Sequence, residues 1–185
     1  MAFSHFHGCA VNNIGLINLQ ETNEVDITNY ITEHPEILQY AFGMNKLNAQ
    51  TLLKWQYQTQ GKDLKPDFMP ERMDGYCDIM EFKMPHLDGK CIVGTNERKQ
   101  PSYQVDSAIA QINKYDEWCS QKINTDWLEK EYNMKVFKPN KYLIMGHSSD
   151  FTAEDRRRLR EERNIIIYTY DEFIEIARYQ IYRYR

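Results

Sequence analysis

The stretch KPDFMPERMDGYCDIMEFKM, residues 65–84, decides how this chain is read. It holds two short apolar runs, Pro66–Met69 and Tyr76–Met84, on either side of PERMDG, where Pro, Asp and Gly supply residues that turn the chain at low cost. Pro85 stops the second run. Alternate residues of a strand share a face, so Ile79, Glu81 and Lys83 point one way and Asp78, Met80 and Phe82 the other. A carboxylate and an ammonium among Ile, Met and Phe are costly to bury unless something uses them. Glu81 and Lys83 are therefore either a structural ion pair or part of an active site.

Across the turn, Asp67 comes near Glu81 if strand pairing sets both on one side. Two converging carboxylates repel unless a cation lies between them. With a main-chain carbonyl and waters they form a hard-oxygen site suited to Mg²⁺ or Mn²⁺. A neighbouring lysine can orient water and stabilise charge developing on a phosphate. Asp78 faces away by alternation and reads as a structural strand-end residue bonded to nearby amides. A bulge in the hairpin would reverse this, making Asp78 the metal ligand and Asp67 the scaffold. A second Glu-x-Lys, Glu97–Lys99, lies in a polar stretch without strand character and is set aside.

Working outward, DITNYITEHPEILQYA (26–41) has helical spacing interrupted by Pro35, which predicts two short helices or one broken helix. QTLLKWQYQTQ (50–60) alternates, with Leu53, Trp55 and Tyr57 on one face, as a half-buried strand does. QVDSAIAQINKYDEWCSQ (104–121) carries the apolar stripe of a helix and sets Gln111 and Tyr115 on one face. A polar segment follows. KYLIMG (141–146) and NIIIYTY (164–170) read as buried strands. Thr152 followed by Asp155 caps a helix, and a last helix starts at Thr169 or Asp171. The order is helix, three-strand meander, helix, strand, helix, strand, helix. That is an α/β domain, a mixed β-sheet flanked by helices, over residues 23–185 behind an N-terminal arm of residues 1–22.

A chain of 185 residues suits one such domain. It has no apolar run near the roughly 20 residues of a membrane span and no signal-peptide pattern, so a cytoplasmic protein without membrane contact is expected. Cys9, Cys77, Cys91 and Cys119 form no metal-binding spacing, and no second cluster completes His5, His7 and Cys9. With a net charge of −4, nucleic-acid binding would need a local basic surface. Arg98 with Lys99, and the arginines of residues 156–163, are the candidates, although acidic neighbours dilute the second group.

Pro-Asp, a turn, then Glu-x-Lys, followed by Gln111 and Tyr115 on the next helix, resembles the PD-(D/E)xK (restriction-endonuclease-like) superfamily. From PDF through YCDIMEFKMP, AIAQINKY and YLIMGHSSDFTAEDRRRLREERNIIIYTYDEFIEIAR, the chain is more closely similar to the Shedu anti-phage nuclease domain. Tyr170-Asp171 is the most family-specific element besides the meander. The resemblance implies a restriction-endonuclease-like fold and a Mg²⁺- or Mn²⁺-dependent DNA endonuclease of bacterial anti-phage defence, usually a homo-oligomer. Asp67 and Glu81 would bind the metal, Lys83 would serve the attacking water and Gln111 would be the accessory polar residue. Glu24, Asp26 and Glu33 compete for the early-helix acid. The Gly-Arg expected after the YLIM strand is Gly146-His147 here, and His147 reads as a surface or capping residue. The rival expectation is a non-catalytic nucleic-acid-binding or regulatory module with the same fold.

Overall fold

The computed structural model describes residues 23–57, 61–95 and 98–183. Helix α1 (Glu24–Glu33) starts at Asn23, whose side-chain oxygen accepts the Asp26 amide at 3.0 Å. It stops before Pro35, and α2 (Glu36–Phe42) resumes and ends at Gly43 in the left-handed conformation. The break expected at Pro35 is present. Strand β1 (Ile79–Phe82) comes next, then the short antiparallel pair β2 (Ile92–Val93) and β3 (Gln100–Pro101). Helices α3 (Tyr103–Cys119) and α4 (Lys122–Tyr132) lead into β4 (Lys141–Ile144). Helix α5 (Ala153–Arg163), capped by the Thr152 hydroxyl, leads to β5 (Ile166–Tyr168) and then to α6 (Tyr170–Arg183).

Two expectations need correction. The meander is not three continuous strands. Among the described residues antiparallel contact there persists as isolated bridges, Lys46 with Glu71, Ala49 with Phe68, Leu53 with Leu64, Phe68 with Met80 and Glu71 with Cys77. Pro66 and Pro70 flank the middle segment and have no N–H to donate, so no ladder propagates through it. The polar segment after residue 121 contains a helix, α4, which has no side-chain N-cap and buries only Asn124 and Leu128. Tertiary contacts hold it. Trp127 meets Trp118 edge-on at 6.3 Å, and buried Asn124 donates to the Trp118 carbonyl at 3.1 Å.

The α/β architecture is as expected, with parallel and antiparallel pairings in separate sheets. The main sheet has the order β1-β4-β5, all parallel, with Glu81 level with Leu143. Strand alternation divides the core. Ile79, Leu143 and Ile167 face the stripe of α3, with Ile109, Ile112 and Trp118. Met80, Phe82 and Ile144 face α1, α2 and α6, with Ile31, Leu38 and Phe173. Three layers result, helices covering both faces of the sheet.

Phe82 is fully buried, meeting Phe68 edge-on at 5.6 Å and Phe173 at 5.8 Å. Phe82→Ala should cost about 3–5 kcal/mol, read as a lower urea midpoint with unchanged slope. A loss within error would show that this second core does not hold the sheet.

Candidate active site

The two middle-segment residues that matter are locked to β1 reciprocally. Phe68 and Met80 exchange backbone hydrogen bonds at 3.1 and 3.0 Å. The next outward donor of β1, the Phe82 amide, finds no backbone carbonyl and donates to the Asp67 carboxylate at 2.8 Å. The Asp67 amide in turn donates to Glu81 Oε2 at 3.3 Å. Asp67 thus completes the strand edge with its side chain, which sets its carboxylate beside Glu81.

Glu81, 2% exposed, collects donors from three elements. Lys83 Nζ lies 3.0 Å from Oε1, and Gln111 Nε2 of α3 lies 2.6 Å from the same oxygen. Gln111 Nε2 also donates to the Tyr115 hydroxyl at 2.6 Å, and that hydroxyl donates to the Lys65 carbonyl at 3.3 Å. Lys83 Nζ reaches Glu24 Oε2 at 3.3 Å as well. Of Glu24, Asp26 and Glu33, Glu24 is the one whose carboxylate contacts this cluster. The structure therefore brings together Asp67, Glu81, Lys83, Gln111, Tyr115 and Glu24.

Burial pushes the Glu81 carboxyl up to about 7, and the neighbouring Asp67 charge adds to the rise. Burial also raises Asp67, against the pull of the Phe82 amide and the Lys83 charge. For Lys83 burial opposes the charge, but Glu81, Glu24 and Asp67 outweigh it and raise its pKa. Lys83 is a firmly held cation next to a carboxyl that titrates near neutrality.

Asp78 lies elsewhere. Fully buried, it accepts Arg72 Nη1 at 2.7 Å, the Asn140 amide at 2.8 Å and Asn140 Nδ2 at 3.1 Å. Its bonds fasten the start of β1 to the loop before β4, as a structural strand-end acid does.

The Tyr170-Asp171 element, quoted in the sequence without an assigned role, braces the other end of β1. Tyr170, fully buried, donates its hydroxyl to the Lys83 carbonyl at 2.6 Å. Its amide donates to the Gly146 carbonyl at 3.0 Å, and the Gly146 amide to the Met84 carbonyl at 3.1 Å. Gly146 takes a left-handed φ of +66°, and an added Cβ would stand 3.4 Å from Cys91 Sγ and from Leu87. Asp171 accepts the Ser148 amide at 3.0 Å and its hydroxyl, stapling α6 to the loop before α5. His147 accepts the Asp150 and Phe151 amides on its carbonyl, which closes the turn before α5, and its ring lies tilted against His86 at 5.2 Å.

Among the described residues no three His, Cys, Asp or Glu side chains are grouped to hold a metal by themselves. His5, His7 and Cys9 lie outside the described residues. The paired oxygens of Asp67 and Glu81 still fit a hard divalent cation. Burial raises both acids, the Asp67 charge adds to the rise at Glu81 and the Glu24 charge to that at Asp67, and a cation between them would relieve that cost.

The fold and the site define an α/β domain with a buried glutamate, a half-buried aspartate, a lysine and a glutamine at the end of its first core strand. A family profile described as Shedu protein SduA, C-terminal, matches residues 21–174, and the chain belongs to that family. No curated protein matches the chain. No helix among the described residues is long and apolar enough to cross a membrane.

Three measurements test the assignment. Asp78→Ala should lower stability by about 1–3 kcal/mol yet leave Mn²⁺ binding by calorimetry intact, whereas Glu81→Ala should abolish binding. The reverse pattern would move the site to Asp78. In metal-free protein, folding raises the Glu81 pKa from 4.5 to about 7, so the native state binds more protons than the unfolded chain between those values. Stability should then fall as pH rises through that window, and Glu81→Gln should remove this slope in thermal unfolding. Cation binding must displace the same proton, so Mn²⁺ affinity should rise about tenfold from pH 6 to pH 8.

Proposed function

We propose that this chain is a metal-dependent deoxyribonuclease that hydrolyses phosphodiester bonds in DNA. The observation that carries the reading is the joining of Asp67 to Glu81, where the Phe82 amide holds the Asp67 carboxylate and Glu81 accepts the Asp67 amide, with Lys83 at 3.0 Å and Gln111 at 2.6 Å from one Glu81 oxygen. Sequence order supports placing the chain in the PD-(D/E)xK superfamily, since Asp67, Glu81, Lys83 and Gln111 occur as its motif has them. Membership of the Shedu family supports a role in anti-phage defence and assembly as a homo-oligomer.

Asp67 and Glu81 would hold Mg²⁺ or Mn²⁺, which when bound supplies charge neutralisation at the scissile phosphate and acidifies a water. The chain's own residues do the rest. Lys83 stays protonated beside three carboxylates and acts as a hydrogen-bond donor and positive charge, not as the base. Its ammonium would orient the attacking water and stabilise the additional negative charge on the phosphate. Gln111 spends its amide hydrogens on Glu81 and Tyr115, which holds the Glu81 carboxylate in one rotamer. Glu24 shares the Lys83 ammonium and fixes it from the α1 side.

Cleavage of plasmid DNA with Mg²⁺ should fall at least about 100-fold in Glu81→Ala and in Lys83→Ala. Gln111→Ala, which removes a positioning contact, should lose less. Undiminished metal-dependent cleavage in either of the first two variants would sink the reading, and binding of DNA without cleavage by the wild type would favour a non-catalytic module.

A further inference from the structure

The segment that delivers Asp67 emerges from a hairpin whose charge the candidate site does not use. Leu53 and Leu64 exchange both backbone hydrogen bonds, at 2.8 and 3.0 Å, and form its base. The Trp55 indole donates to the Lys62 carbonyl at 3.2 Å while its ring packs on the larger core. The Gln56 amide donates to buried Asn124 at 3.1 Å, which ties the hairpin to α4. On this anchored frame Lys54, Lys62 and Lys65 are exposed, with Asp63 the single acid among residues 61–65. Among the described residues, none of the three lysines is in an ion pair. Lys114 of α3 lies 5.4 Å from the Trp55 ring centre, but its ammonium is paired with Glu117 at 2.8 Å.

This hairpin is continuous with the site. The Lys65 carbonyl accepts the Tyr115 hydroxyl, which Gln111 links to Glu81, and the Lys65 charge partly counters the rise in the Asp67 pKa. A cluster of carboxylates, Asp67, Glu81 and Glu24, in a chain of net charge −4 repels a polyanion. Local cations must offset that repulsion for a phosphate backbone to approach. The arginines of α5 are badly placed for it. Helix α5 runs back from the end of β4 to the start of β5, so Arg160 and Arg163 finish at the sheet edge opposite Lys83, among Glu161 and Glu162.

We propose that Lys54, Lys62 and Lys65, on the two arms of the Leu53–Leu64 bridge, receive the DNA backbone and contact phosphates next to the one at Asp67 and Glu81. This rests on the deoxyribonuclease reading. The test is fluorescence anisotropy of the full chain on a labelled duplex, with Ca²⁺ in place of Mg²⁺, across a salt series. Lys54→Gln, Lys62→Gln and Lys65→Gln combined should weaken binding at least about tenfold and lower the salt slope by about 2–3. Arg157→Gln, Arg160→Gln and Arg163→Gln combined remove the same charge from α5 and should change affinity less than about threefold. Thermal unfolding checks that both sets fold, and Lys54→Gln and Lys62→Gln singly should each lower the slope by about one. Unchanged binding in the lysine set, or equal loss in both sets, overturns the hairpin proposal alone. A wild type that binds Mn²⁺ but no duplex overturns the DNA reading and the hairpin with it.

Discussion

The carboxylate of Glu81 is buried almost completely, and the surrounding structure is organised around satisfying it. A buried charge without partners costs several kcal/mol, so each of its donors has to be held in place by a separate element. Lys83 follows it on the same strand face, Gln111 comes from α3, and the Asp67 amide comes from the bridged segment outside β1. Those donors constrain the packing of α3 on the sheet and the course of residues 65–70. A well-packed apolar residue at this position would serve stability as well or better. Its cost is easiest to understand if the group is there for chemistry.

Hydrogen bonds fix both ends of β1, the strand that carries the site. At the start, Asp78 joins Arg72 to Asn140. At the end, Lys83 is gripped on its amide by the Ile144 carbonyl and on its carbonyl by the Tyr170 hydroxyl. Tyr170 thereby links the last helix to the backbone of the lysine, and Gly146 leaves room for the crossing of three chain segments there. The carboxyl ends of parallel strands are where open α/β sheets commonly hold ligands, because side chains from successive strands and loops converge beyond the last backbone bonds.

Much of the site was legible in the sequence. Glu81 and Lys83 stood out because charge interrupted an apolar alternating run. Gln111 and Tyr115 shared a face by helical spacing, and alternation separated Asp78 from the pair. Glu24 was one of three possibilities, since no local pattern distinguishes acids in the first turns of a helix. The role of Tyr170 was not legible at all. A tyrosine at the start of a helix reads as core, and its partner is the backbone of residue 83, which no side-chain pattern reports.

Periodicity by itself determined the helices on either side of Pro35, the long stripe of α3, the buried strands before and after α5, and the pairing of Glu81 with Lys83 on one face. Those are local consequences of side-chain direction and backbone sterics, which depend only on neighbours in sequence. Tertiary structure decided the rest. Helix α4 exists because Trp118 and Asn124 hold it, the expected meander is reduced to bridges because prolines leave β1 without a continuous partner, and Asp67 meets Glu81 because the Phe82 amide needed an acceptor. Each depends on a donor or a surface far away in the chain, and no sequence window contains both partners.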